Sequence, residues 1–241
     1  MDLFQKTLFD RAHQIGVDLT EEQLSQFALF YQELVEKNKV MNLTSITEPE
    51  EVINKHFVDS LALSYAKSYY KETDLILDVG TGAGFPGIPL KIAFPEMDFT
   101  LNDSLNKRLQ FINEVIHKCN LNKITTVHAR AEDLAHDRKY RGAFDLVVSR
   151  AVARMDVLME YDIPFLKVHG HMIAYKSGEM EEEMAACENA MKLLFCRKVD
   201  EFSFTLPDTD IKRTLIVLEK CKETPNQYPR KAGLPAKKPL G

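Results

Sequence analysis

Long apolar runs are missing from this sequence of 241 residues. No stretch approaches the roughly 18 consecutive apolar residues that a bilayer-spanning helix needs. The first residues, MDLFQKTLFDRAHQ, contain acids and amides where a secretory signal would have its apolar run. We therefore expect a cytoplasmic protein with no membrane partner.

Cysteine is scarce, and its spacing excludes two classes of small scaffold. The four cysteines are far apart and form no CxxC pair, which argues against a disulfide framework and against a zinc cluster. We expect reduced cysteines that pack in the interior, and no metal site. The four are Cys119, Cys187, Cys196 and Cys221.

An excess of positive charge is also missing. With 31 basic and 36 acidic residues the formal net charge is −5, so any contact with nucleic acid has to come from local patches. One candidate is the segment from Lys222 to Gly241, which carries five basic residues against one acid. Its four prolines predict an extended segment without a regular helix, mobile unless it docks. A solvated tail without a partner is the alternative.

The residues that are present, 45% hydrophobic and 28% charged, are typical of a globular protein with a full core. Apolar residues at three- and four-residue spacing predict amphipathic helices over residues 1–15 and 20–37. Thr20 and Gln23 form a capping box at the start of the second helix, and a third helix is predicted from Pro49. We predict a helical extension over 1–70, packed on a core over 71–221, and a basic, proline-rich tail over 222–241.

From Leu75 onward, short apolar runs alternate with helical stretches, which is typical of βαβ units and a parallel sheet. The predicted helices cover 86–94, 106–118, 155–166 and 178–192. The predicted strands cover 75–79, 98–102, 124–128, 144–149 and 171–176. Two further strands, 195–205 and 211–219, are joined by a turn too short for a crossover and must pair antiparallel. The expected fold is α/β and Rossmann-like, with a mostly parallel seven-stranded sheet and a C-terminal antiparallel hairpin.

A glycine-rich loop, DVGTGAGFPG, follows the first predicted strand. Its glycines, Gly80, Gly82, Gly84 and Gly87, permit a tight turn and let a ligand approach the backbone at a helix N-terminus. The last three match GxGxxG, and Asp103 lies where a ribose-binding acid is expected, so a nicotinamide-dependent oxidoreductase is one interpretation. S-adenosylmethionine is favoured because Asp78 can face an ammonium group and would repel a pyrophosphate. The closing hairpin favours the same interpretation by analogy of fold.

Candidate polar residues follow the later strands. Ala131 and Glu132 come after the third strand, where a methyltransferase binds adenine; an acidic helix cap is the alternative. Arg150 and Arg154 follow the fourth strand at the sheet edge where ligands bind; ordinary ion pairing is the alternative. Lys176 ends the fifth strand.

The segment after the fourth strand also limits the substrate. It lacks the Asn/Asp-Pro-Pro-aromatic motif of exocyclic amine methylation, a cysteine for pyrimidine carbon-5 and the acid for ribose chemistry. Guanine N7 needs no general base, because its lone pair is free in the neutral base. The residues therefore suggest a ring nitrogen in an anionic polymer, and we name no catalytic residue.

Several motifs together resemble one known family. They are NKVMNLT (38–44), KHFVDSL (55–61), DVGTGAGFPGIP (78–89), Asp103-Ser104 with Lys107-Arg108, Arg130-Ala131-Glu132, Ser149-Arg150-Ala151 and the tail YPRK with KKPL. In this order, over nearly the whole chain, they resemble the RsmG family, formerly glucose-inhibited division protein B. The resemblance implies an S-adenosylmethionine-dependent enzyme that methylates N7 of guanine 527 in 16S ribosomal RNA. It also implies a cofactor site lined by Gly80, Phe85, Asp103, Ala131, Glu132 and Arg150.

An RNA substrate makes a set of basic residues candidates for phosphate contact: Arg154, Lys176, Arg197, Lys198, Arg230, Lys231, Lys237 and Lys238. Edge-strand lysines that prevent strand pairing are the alternative for some of them. His56 and Asp59 share a helix face and either line a pocket or bond between helices. The expected partner is the small ribosomal subunit, without DNA, and the expected state is a monomer. A non-catalytic RNA-binding assembly factor is the alternative function.

Overall fold

A seven-stranded sheet organises the protein in the computed structural model, which describes residues 1–178 and 180–241. The strand order is β3-β2-β1-β4-β5-β7-β6. The strands are β1 (Leu75–Val79), β2 (Asp98–Asp103), β3 (Ile124–His128), β4 (Phe144–Arg150), β5 (Leu166–Ser177), β6 (Cys196–Thr205) and β7 (Lys212–Lys220).

Strands β1 to β5 are parallel, and β7 pairs antiparallel with both β5 and β6. The predicted parallel sheet with a closing antiparallel hairpin is therefore confirmed. The prediction for β5 was too short, because the strand begins at Leu166 rather than at 171. The apolar pattern is broken there by Gly170 and by His169, whose φ of 68° interrupts the regular strand.

The N-terminal segment is helical, as the apolar spacing predicts. Both long helices begin with capping boxes, Asp2 with Gln5 and Thr20 with Gln23, so the backbone donors of each first turn are satisfied. The second helix continues four residues past its predicted end at 37 and stops where Asn42 turns left-handed. The helices are α1 (Leu3–Gln14), α2 (Glu21–Met41), α3 (Pro49–Val52) and α4 (Asp59–Leu61).

A π-helical segment, Ile53–Val58, lies between α3 and α4 and was not predicted. It contains Lys55 and His56 of the KHFVDSL motif. Such wide turns are rare and occur frequently at functional sites. A 3-10 helix, Ala62–Tyr69, then leads to the sheet.

The helices of the core flank the sheet strands: α5 (Gly87–Ala93), α6 (Asn106–Lys118), α7 (Ala131–Leu134), α8 (Met155–Asp162), α9 (Glu181–Ala185) and α10 (Glu188–Leu194). Helix α8 ends four residues before its predicted end at 166, because Pro164 lies in the 3-10 turn that follows. The single helix predicted over 178–192 is two helices, interrupted at residues 186 and 187.

The C-terminal tail, residues 222–241, is docked on the core. Tyr228 and Leu240 are buried in the same cluster as α8 residues such as Met159. The prediction that its prolines exclude a helix was wrong in one place, since α11 (Leu234–Lys237) has Pro235 in its first turn. Proline is tolerated there because those N–H groups have no intrahelical partner.

Two apolar clusters, one on each face of the sheet, form the core. The N-terminal helices contribute Phe27, Phe30 and Phe57 to one of them, together with Phe99 of β2. The cysteines are free; three are buried and Cys221 is partly exposed, as expected for packing residues. Across residues 1–178 and 180–241, no helix has the length and apolar character needed to span a bilayer.

Candidate functional site

The glycine-rich loop leaves β1 at the carboxyl edge of the sheet and enters α5. Gly80, Gly82 and Gly84 all have positive φ, at 70°, 63° and 96°. At Gly82 a side chain would meet nothing closer than the Gly80 carbonyl oxygen, 3.9 Å away, so conformation rather than space requires glycine there. The outer side of the loop is therefore open to a ligand.

Asp78 lies fully buried at the end of β1. Its Oδ2 accepts the Gly87 N–H at 2.9 Å, while its Oδ1 and the buried Thr81 hydroxyl have no hydrogen-bond partner among the described residues. Burial raises the pKa of Asp78 to about 7. A ligand ammonium beside Oδ1 would supply the missing partner and favour the charged carboxylate. The site therefore fits the amino-acid end of S-adenosylmethionine.

Asp103 ends β2 and orders the loop. Its Oδ2 accepts the Gly82 N–H at 3.0 Å and Arg108 Nη1 at 3.3 Å, and its Oδ1 accepts the Leu105 N–H at 2.8 Å. A carboxylate has about four acceptor positions, so three are already used. Asp103 can therefore accept one ribose hydroxyl as it stands, and would accept both only if the half-exposed Arg108 moved away.

Arg150 ends β4 and joins the glycine loop to the π-helical segment. Its guanidinium carbon lies 5.0 Å from the centre of the Phe85 ring, and the His56 ring stacks on the same phenylalanine at 4.5 Å. The Arg150 Nη1 also donates to the backbone carbonyls of Lys55 and His56, at 3.3 and 3.2 Å. These contacts fix the orientation of the arginine against Phe85.

His56 is neutral in this arrangement. Burial and the neighbouring Arg150 charge lower its pKa to about 4. Its Nδ1 lies 3.1 Å from the Lys55 carbonyl, which can only accept, so Nδ1 carries the proton and Nε2 accepts from the Thr44 hydroxyl at 2.8 Å. Both ring nitrogens are therefore engaged.

A cavity of about 320 Å³ opens beside these residues at the carboxyl ends of β4 and β5. Asp59 lies on its wall and accepts from Arg150 Nη1 and from Arg213 Nε, both at 3.0 Å. Lys176 also lines it, donating to Glu183 at 2.6 Å and to the Ala153 carbonyl at 3.2 Å. The wall is thus richer in basic than in acidic groups: Lys55, Arg150, Lys176 and Arg213, with Asp59.

Glu132 lies in α7, after β3, and is 6% exposed. No side chain caps the N-terminus of α7 by a hydrogen bond, although Glu132 and Asp133 lie in its first turn, where the helix dipole favours a negative charge. The Glu132 Oε1 instead accepts the Gly233 N–H of the tail at 2.8 Å. Ala131, beside it, is partly buried.

The basic candidates lie in three places. Arg154 and Lys176 lie at the carboxyl edge of the sheet, and Arg154 pairs with Asp156 at 3.1 Å. Arg197 and Lys198 begin β6 at the opposite edge, where they pair with Glu219 and Glu201. The tail carries the others, of which Lys231, Lys237 and Lys238 are exposed and Arg230 is ion-paired with Glu160.

One buried pair was missed by sequence reasoning. Ser149 Oγ donates to Asp162 Oδ2 at 2.5 Å, and both residues are fully buried. Ser149 lies in β4 directly before Arg150, and Asp162 ends α8. Burial raises the pKa of Asp162 well above its ordinary value. A serine in a strand and an aspartate in a helix form no motif, so no sequence signal pointed to the contact.

The sheet order, the closing hairpin, the glycine loop after β1 and the acids ending β1 and β2 define a Rossmann-like methyltransferase. A methyltransferase from Pyrococcus furiosus superposes with a TM-score of 0.54 at 14% identity, covering 82% of this chain and 99% of that chain. The M. jannaschii TYW2 structure in complex with AdoMet superposes with a TM-score of 0.51 at 14% identity, covering 67% and 76%. These likenesses confirm the predicted fold.

Sequence comparison identifies the family within this class. The model of the GidB family, described as rRNA small subunit methyltransferase G, matches residues 23–213, and the chain belongs to this family. The Ribosomal RNA small subunit methyltransferase G of Lachnoclostridium phytofermentans is 51% identical over 97% of this chain and 96% of its own length. The protein of that name from Streptococcus suis is 47% identical over 99% of both. The family predicted from the motifs is confirmed.

Proposed function

We propose that the protein transfers a methyl group from S-adenosylmethionine to N7 of guanine 527 in 16S ribosomal RNA of the small ribosomal subunit. The names of its relatives support a ribosomal RNA substrate, and the free oxygen of Asp78 supports a ligand with an ammonium group. The cofactor site would comprise Asp78, Gly80, Gly82, Gly84, Phe85, Asp103, Ala131, Glu132 and Arg150.

The observation that carries the choice of N7 is that, within residues 1–178 and 180–241, the candidate bases lining the cavity already have partners. Asp59 is paired with two arginines, and both His56 nitrogens are hydrogen-bonded. The Tyr175 hydroxyl donates to the Ser60 carbonyl at 2.8 Å, and burial raises the pKa of that tyrosine well above its ordinary value. A nucleophile that must lose a proton would have to compete with these partners for an acceptor. Guanine N7 has no proton to lose.

S-adenosylmethionine supplies an electrophilic methyl group on its sulfonium. The chain would contribute alignment: Asp78 and the glycine loop would hold the amino-acid end, and Asp103 and Glu132 would hold the adenosine. Arg150, held over Phe85 by Asp59 and two backbone carbonyls, fixes the cavity wall next to the glycine loop. Arg154 and Lys176 at the same edge would contact RNA phosphates, which also offset the positive charge that the methylated base acquires.

The tail residues Lys231, Lys237 and Lys238 would extend this phosphate-binding surface. Arg197, Lys198 and Arg230 support it less. The first two lie at the far edge of the sheet, and the fully buried carboxylate of Glu160 binds both Nε and Nη2 of Arg230. A ribosomal substrate implies that the protein acts in the cytoplasm. We propose that it acts as a monomer, with an N-terminal helical extension, a methyltransferase core and a docked tail.

The test is incubation of the protein with tritiated S-adenosylmethionine and small subunits that lack the modification, followed by chain cleavage at 7-methylguanine. A single labelled guanine at position 527 is the expected result. Label at another nucleotide would refute the proposed target but keep the reaction class. Binding of cofactor and RNA without label would favour the assembly factor, and binding of NAD instead would favour the oxidoreductase.

A further inference from the structure

The docked tail is attached to the segment that follows β3. One guanidinium, that of Arg141, donates to the carbonyls of Thr224, Pro225 and Tyr228 in the tail and to that of Ala135 directly after α7. The four distances lie between 2.8 and 3.2 Å. His136 Nε2 adds a contact of 2.8 Å to the Pro229 carbonyl. The first half of the tail is thus fixed to the C-terminal end of α7.

A buried ion pair anchors the middle of the tail to α8. Glu160 is fully buried, and its carboxylate accepts the backbone N–H, Nε and Nη2 of Arg230 at 2.7, 2.9 and 2.6 Å. The same Nη2 donates to the Lys238 carbonyl at 2.7 Å, which closes the tail into a loop around the arginine. A buried carboxylate is strongly destabilising without its partner, so this anchor is firm.

The turn within that loop reaches the candidate cofactor site. Gly233 has a φ of 80°, a conformation that only glycine adopts without strain, and its N–H donates to Glu132 Oε1 at 2.8 Å. Within residues 1–178 and 180–241, this is the only hydrogen bond that the Glu132 carboxylate accepts. The orientation of the carboxylate is therefore set from the tail, and Oε2 is left for another donor.

We propose that the C-terminal tail is a brace that holds Glu132 in position for the exocyclic amine of the cofactor's adenine. Gly233 is the positioning residue, and Arg230 and Arg141 anchor the turn that presents it. This inference rests on the proposed function, because it needs adenine beside Glu132. A carboxylate that is already oriented loses less conformational freedom on binding, so the brace increases affinity for the cofactor.

The experiment is a double-mutant cycle on the full chain, with the dissociation constant of S-adenosylmethionine measured by calorimetry. Gly233→Pro removes the N–H and the positive φ at a position where an added Cβ meets nothing within 4 Å. We expect about tenfold weaker binding. Gly16→Pro is the matched control, because Gly16 also has positive φ and open surroundings but lies at the end of α1. It should bind like the native protein.

Repeating Gly233→Pro in the Glu132→Ala variant distinguishes an effect on affinity that acts through Glu132 from a general structural effect of the substitution. If Gly233 acts through Glu132, Gly233→Pro has no further effect on affinity once the carboxylate is gone. The same loss in both backgrounds, or native affinity of the single variant, would overturn the brace. Failure of the native chain to bind would overturn the proposed cofactor and the brace with it. If the proline variant does not fold, Gly233→Ala replaces it in the same cycle. Alanine keeps the N–H but disfavours the positive φ that directs it at Glu132, and we expect about threefold weaker binding of the cofactor.

Discussion

The carboxylate of Asp59 and the guanidinium of Arg150 form a buried ion pair, with 3.0 Å between Oδ2 and Nη1. The two residues are 91 positions apart in the chain. Asp59 begins α4 and Arg150 ends β4. The second oxygen of Asp59 accepts from Arg213, at the start of β7. One carboxylate therefore connects the N-terminal helices, the middle of the sheet and its closing hairpin around the cavity.

Asp59→Asn should destabilise the protein and weaken its binding of S-adenosylmethionine. The amide keeps the shape but removes the charge between two arginines, and breaking a buried pair costs about 3–5 kcal/mol. Arg150 would then be held against Phe85 only by the Lys55 and His56 carbonyls. We expect a decrease of about 3 kcal/mol in the free energy of unfolding, measured in urea, and a loss of about tenfold in affinity. Asp10→Asn, at an exposed position of α1, is the control; equal effects of both changes would refute the role of Asp59.

Asp78 should make cofactor binding depend on pH. Its pKa in the free protein is about 7, raised by burial, and an ammonium ligand favours the ionised form. Binding should therefore tighten as pH rises to 7, by about tenfold from pH 5.5 to 7, because the ionised fraction grows in that interval. His56, with a pKa of about 4, does not titrate there. Asp78→Asn should bind weakly with a flat pH profile, and a native profile in that variant would exclude Asp78 as the cause.

The same shift predicts the pH dependence of stability. Because the folded pKa of Asp78 lies above its ordinary value of 3.8, the native state holds the proton more tightly than the unfolded state. The contribution is fully present below pH 3.8 and is lost as pH rises through about 7. The free protein should lose stability across this window relative to Asp78→Asn, by urea unfolding at pH 5 and pH 8. An equal change in both proteins would contradict the assignment.

Gly82→Val should abolish tight cofactor binding while the fold persists. The loop needs a φ of 63° there, which a β-branched residue adopts only with strain, although no neighbouring atom lies within 3.9 Å. The Gly82 N–H would also leave Asp103. We expect at least tenfold weaker binding in calorimetry. Gly16→Val, at a φ of 75° in open space, should reduce stability alone; an unchanged dissociation constant for Gly82→Val would remove the loop from the site.

Local patterns predicted the sheet and the glycine loop correctly. Strands β1 and β3 begin and end at the predicted residues. Strand β1 is a buried apolar run bounded by turns, and the edge strand β3 is marked by its β-branched residues, Ile124, Thr125, Thr126 and Val127. Asp78 could be identified as a candidate because it directly follows the apolar run Leu75-Ile76-Leu77 and precedes the glycine loop. The position after the fourth strand pointed to Arg150 and the family motifs added Phe85, and the structure brings the two together at 5.0 Å.

What the sequence did not predict depends on contacts between distant residues. The π-helical turn at His56 has no pattern of its own; the Arg150 guanidinium that its carbonyls face comes from β4. The docked tail was left open because its prolines and lysines are typical of a solvated segment, whereas its anchor, Glu160, looks like an ordinary acid of an amphipathic helix. Such pairs are visible only once the sheet fixes the positions of the helices.

The tail lysines should bind RNA independently of the cofactor. Lys237 and Lys238 are exposed, and no ion pair involves them within the described chain. Replacing both with Glu should weaken RNA binding and reduce the slope of log K against log salt by about 2, because two phosphate contacts are lost, with cofactor affinity unchanged. Arg197 and Lys198, at the opposite sheet edge, provide the matched control. If their reversal weakens RNA binding as much as the tail variant does, the contact surface extends around the hairpin; if the tail variant binds RNA like the native protein, the tail serves the fold and the cofactor site alone.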